Sequence, residues 1–271
     1  MFTSNPFAAL SASLSPAVMQ CYVVVMIVLV VAATLFDVVH KGSAKYFFQN
    51  WRKSKTRKGV RSVGGGELAS IALQTAVVDV LTSGEFCNAR RRISHLLGMY
   101  GFVLYVISTV VMVFDASAGA IWAQLWWIGG LMVCAGGYWF WFFIRVDVAA
   151  EGHSPLRLVQ ADLFILSLLA SATLGLVWAA AGGGAGVLFG LYILATTVLF
   201  AGIPWSKFAH MFFKPAAAFE KRVSKADGTA ENLPTQTRDD PEQQKRHSME
   251  LLRDAPANMG LGIKREASRH Y

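Results

Sequence analysis

His95 is the residue of this chain best placed to do chemistry. Arg90, Arg91 and Arg92 precede it, Gly98 follows three positions on, and an apolar run continues to Phe114. A histidine just under the surface of a membrane helix is costly without a partner, so it marks function by default. Gly98 shares its helix face and leaves room for something flat beside the imidazole. A haem fits that description, and His210, near the end of the last apolar run, is the residue expected to hold its other side. Haem b is bound without covalent links, so no Cys-x-x-Cys-His is required. Two neutral imidazoles on facing helices leave the iron suited to electron transfer rather than oxygen chemistry. The plainer alternative is a pair of interfacial histidines bonded to backbone or lipid. His40 and His153 are secondary candidates, either for a second haem or as ordinary polar caps. Arg91 and Arg92 suit haem propionates, lipid phosphates, or simply the orientation of the chain.

The elements that must position these residues are membrane helices. Hydrophobic residues make up 54% of the 271 and charged ones 15%, less charge than a soluble domain carries. Apolar runs long enough to cross a bilayer predict five transmembrane helices, over about 17–39, 94–114, 121–144, 158–180 and 187–213. Pro204 is expected to kink the last. Residues 1–16 form a short outer N-terminus, 17–214 the all-α membrane domain, and 215–271 a polar, largely disordered cytoplasmic tail. Within the membrane domain, 41–93 is a cytoplasmic loop carrying a short interfacial helix over about 67–80.

Charge supports this order. Residues 41–61 hold eight lysines and arginines and no acid, interleaved with Tyr46, Phe47, Phe48 and Trp51. Aromatics beside lysines suit the headgroup layer, and the positive loops all fall on one side. The N-terminus is therefore expected outside and the C-terminus in the cytoplasm, in a multi-pass protein of the inner (cytoplasmic) membrane. The net charge of +8 is explained by orientation, and no nucleic-acid partner is expected. His40, His95, His153 and His210 all map to the cytoplasmic side. Arg145, Gln160 and Asp162 lie at a depth to line a quinone site, where structural capping explains them as well. Gly129-Gly130 and Gly136-Gly137 suit close helix packing or cofactor clearance. Cys21, Cys87 and Cys134 are scattered without a Cys-x-x-Cys pair, so neither a zinc site nor an iron–sulfur cluster is supported.

Ser83 to Phe102, which holds Cys87-Asn88-Ala89-Arg90-Arg91-Arg92-Ile93-Ser94-His95, together with Lys207-Phe208-Ala209-His210-Met211-Phe212-Phe213-Lys214-Pro215, resembles the five-helix cytochrome b subunits of the nitrate reductase gamma type. Within that family it looks closest to the branch found with dissimilatory sulfur enzymes. That branch includes the membrane subunits of quinone-interacting oxidoreductase complexes and the membrane anchor of adenylylsulfate reductase. The resemblance covers about residues 17–215. It implies haem b held by His95 and His210, quinone as electron carrier, and a cytoplasmic flavin and iron–sulfur partner such as adenylylsulfate reductase docked on loop 41–93 and the tail. The nitrate reductase pattern places histidines toward both membrane faces, whereas here none maps to the outer face. One haem is therefore expected rather than a wire across the membrane.

Two rival readings remain. A haem-free scaffold would only tether the partner. A small transporter would want polar groups near mid-membrane and paired broken helices, and the helix centres here are almost wholly apolar.

Overall fold

The computed structural model describes residues 2–40, 42, 45, 47–49, 51–52, 61–84, 86, 88–145, 158–203, 206 and 210–229. Every regular element among them is a helix: α1 (Pro6–Leu10), α2 (Pro16–His40), α3 (Gly65–Gln74), α4 (Ala89–Phe114), α5 (Ala120–Trp139), α6 (Leu163–Ala180), α7 (Val187–Ala201) and α8 (His210–Ala226). Wide π turns prolong α3 over Thr75–Leu81 and α5 over Phe140–Ile144. A 3-10 turn, Gln160–Asp162, leads into α6.

Four helices are long and apolar enough to cross a bilayer: Pro16–His40, Ala89–Phe114, Ala120–Ile144 and Leu163–Ala180. This suits a multi-pass membrane protein. The fifth expected helix differs. The apolar run breaks after Ala201, where Gly202 donates its N–H to Val198 O at 2.9 Å, and a new helix starts at His210. α7 keeps 15 residues, short of the roughly 20 that span a bilayer core. Pro204 lies outside the described residues. α8 continues to Ala226 with Pro215 inside it, so helix runs past residue 214.

α4 also starts earlier than its apolar run. Asn88 caps it, the side-chain oxygen accepting from the N–H groups of Arg90 at 2.9 Å and Arg91 at 3.3 Å, which satisfies orphan donors of the first turn. The three arginines are thus the opening of the helix rather than the end of a loop.

α4 and α5 pack along their length through small residues. A Cβ on Gly129 would lie 2.6 Å from Tyr105 N, and one on Gly136 would lie 2.7 Å from Ser94 O. Ser94 Oγ donates to Gly136 O at 2.8 Å across the same seam. These glycines serve backbone approach between helices. At one end of the bundle α1 folds in as a plug. Phe7 and Leu10 are buried, the Phe7 ring packs 5.2 Å from that of Trp178, and Asn5 Nδ2 donates to Met112 O at 3.0 Å. At the other end α3 and α8 pack together. Arg222 donates to both carboxylate oxygens of Asp79, at 2.9 and 3.1 Å, a paired geometry that fixes direction as well as distance.

Candidate functional site around His95

The turn that precedes α4 is built around Ser83. Its φ is +48°, and it is the one non-glycine residue in the left-handed region among the described residues. That conformation costs energy for a residue with a Cβ and persists where the surroundings hold it. Three side chains from α4 do so. Tyr100 OH donates to Leu81 O at 2.6 Å, Arg92 Nε donates to Thr82 O at 2.7 Å, and His95 Nδ1 lies 3.1 Å from the buried Ser83 Oγ. The 92, 95 and 100 positions point at one segment because their spacing brings them to one side of the helix.

The imidazole itself is largely exposed. The Phe86 ring packs 4.8 Å from it, tilted by 41°. Lys214 Nζ stands 5.7 Å from the centre of the Phe86 ring. Lys214 is one helical turn beyond His210, so the start of α8 comes to the same end of the bundle as the start of α4. The His210 side chain lies outside the described residues, as does all of His153. Of the remaining candidates, His40 ends α2 exposed and stacked on Phe36 at 5.3 Å. Arg91 is half-buried, and Arg92 is committed to the Thr82 carbonyl.

If a haem were bound here, His95 is the described residue that would hold it. Ser83 Oγ and His95 Nδ1 are hydrogen-bonded, in the direction the tautomer decides, and such a partner on one ring nitrogen is how metal-bound histidines are oriented. Gly98 meets the second requirement, since a Cβ built there touches nothing within 4 Å. Among the described residues no group of three or more His, Cys, Asp or Glu gathers as for a metal ion. A haem asks for two imidazoles only.

The quinone candidates divide. Arg145 and Asp162 form an ion pair with side chains only 11% and 12% exposed. Asp162 also accepts from Val159 N at 3.0 Å, and the guanidinium lies 4.0 Å over the Trp141 ring. Their polar atoms serve each other, joining the end of α5 to the start of α6. Gln160 is exposed on the turn between them. The residues that sequence reasoning did not single out are Ser83, Phe86, Tyr100 and Lys214. They stood only inside the two segments that carry the family resemblance, with no role of their own.

Comparisons with protein-family models, with curated proteins and with solved structures find no match to this chain.

Proposed function

We propose that this protein is the membrane anchor and electron-transfer subunit of a cytoplasmic sulfur-metabolism oxidoreductase. Its partner is adenylylsulfate reductase or a related flavin and iron–sulfur enzyme, and its small-molecule carrier is the quinone pool. In this reading His95 and His210 hold one haem b near the cytoplasmic rim, the N-terminus is outside, and α7 completes a fifth crossing. When bound, the haem supplies a one-electron relay between partner and quinone.

The observation that carries the reading is the Ser83–His95 hydrogen bond. It orients the ring at the start of α4, next to an open glycine face. Arg91 stands one turn before His95, where a carboxylate of the cofactor would find a positive partner. The Arg222–Asp79 clamp holds α3 and α8 as a docking surface beside this site. The chain's own residues bind and orient; the partner's reaction needs flavin and cluster chemistry that this sequence lacks the motifs for.

The test is the absorption spectrum of the purified full chain after dithionite reduction, from cells supplied with haem precursor. A b-type alpha band that disappears in both His95→Ala and His210→Ala is the expected result. A second reading, a haem-free tether, is favoured by one observation: His95 already has structural work in bracing the Ser83 turn. Absence of the band in wild type would leave that reading alone.

A further inference from the structure

We propose that the membrane bundle holds one acyl chain of a bilayer phospholipid in a cavity behind α2. The cavity measures about 240 Å³ and is lined by α2, α4, α6 and α7, with single residues from α1 and α5. α2 touches α4 and α7 far more sparsely than α4 touches α5, and the space arises where it stands off. Protein interiors close such spaces or fill them, because a void forfeits contact on every wall.

Shape identifies the occupant. Along α2 the lining runs from Met19 to Val31, a span of about 18 Å at the helical rise. Half of a bilayer core is about 15 Å. The cavity is therefore long, narrow, and matched to one leaflet, the one at the α1 end, where Phe7 lines it. A volume of this size drawn out over that length suits a linear chain better than a ring system.

Chemistry agrees. The hydroxyls on the walls are turned to the protein. Tyr22 OH pairs with Thr197 Oγ1 at 3.0 Å, Ser171 Oγ with Thr196 Oγ1 at 2.7 Å, and Thr109 Oγ1 donates to Tyr105 O at 2.7 Å. The Tyr105 hydroxyl is buried and makes no hydrogen bond. The rest of the lining is chiefly apolar, so hydrocarbon is the ligand class. None of the lining residues belongs to the His95 cluster, so the proposal stands independently of the redox reading.

The test reconstitutes the full chain in phosphatidylcholine vesicles doped with a phosphatidylcholine that carries a diazirine midway along one chain. After photolysis, labelled residues are mapped by mass spectrometry. Label on the inward residues Tyr105, Tyr192 or Leu199 is expected, falling about tenfold in Val106→Trp, which fills the cavity from α4. Val30→Trp fills it from the opposite wall and serves where the first variant folds poorly; the wild-type pattern decides if both do. Label confined to outward residues such as Val24 and Val28 overturns the proposal. So does full displacement of the inward label by an equimolar polyprenyl quinone, which would assign the space to an isoprenoid tail.

Discussion

Ser83 Oγ and His95 Nδ1 meet at 3.1 Å, joining a residue in left-handed backbone to the one imidazole at the start of α4. The contact has two consequences that separate by experiment. It orients the ring, and it braces the turn.

Ser83→Ala removes the hydrogen bond and leaves the imidazole in place. The expected outcome is a loss of about 1 kcal/mol of stability in thermal unfolding, with any b-type band retained but its midpoint potential moved. Ser83→Gly relieves the positive φ and should recover the stability without restoring the potential. Equal spectra and potentials in all three proteins would show the bond to be structural only.

The glycines of α4 and α5 should respond in opposite ways. Gly136→Ala puts a methyl against Ser94 O, and Gly129→Ala puts one against Tyr105 N. Each should cost about 1–3 kcal/mol through overpacking, read as a lower unfolding temperature in detergent. Gly98→Ala meets open space and, with no clash to offset the preference of a helix interior for alanine, should raise that temperature slightly. If a haem plane lies beside Gly98, the same variant should still lower haem content, a result that a packing role does not produce.

The spans were legible because long apolar runs have few other meanings. The start of α4 was not, since the apolar run puts it near Ser94 while the helix begins where Asn88 can cap it. The division after Ala201 was hidden by apolar residues on both sides of it. It falls at Gly202, a position that hydropathy does not mark. At the site, His95 stood out by type and position. Its partners did not, because a turn residue twelve positions away carries no periodic signal. Arg145 and Asp162 were each visible as polar groups near a helix end. That they neutralise each other is a fact of tertiary structure.

Acid should loosen the start of α3. Glu67 accepts from Arg61 Nη1 at 2.9 Å, and that bond, with the attraction behind it, holds the Glu67 carboxyl below the ordinary carboxylate range. The folded pKa is depressed, so its contribution is present above the unfolded value of about 4.3 and is lost as pH falls through the folded one. Amide exchange at Leu68 to Ile71 should be slower in wild type than in Glu67→Gln near neutral pH. The two proteins should converge in acid, once the carboxyl is protonated. A gap that persists there would locate the effect elsewhere.

The Arg145–Asp162 pair should dominate the stability of the α5–α6 connection. Its side chains are nearly buried, and removing one partner strands the other charge, which costs about 3–5 kcal/mol. Asp162→Asn is therefore expected to lower the unfolding temperature sharply, and Arg145→Gln to do the same. Replacing both together, Arg145→Met with Asp162→Leu, leaves no orphan charge and should be milder than either single change. A quinone-binding role makes a different demand, since the double variant would then fold normally yet fail to exchange electrons with quinol. Measuring unfolding and quinol oxidation on the same double variant separates the two, because a pair that only clips helices leaves oxidation intact once the fold is restored.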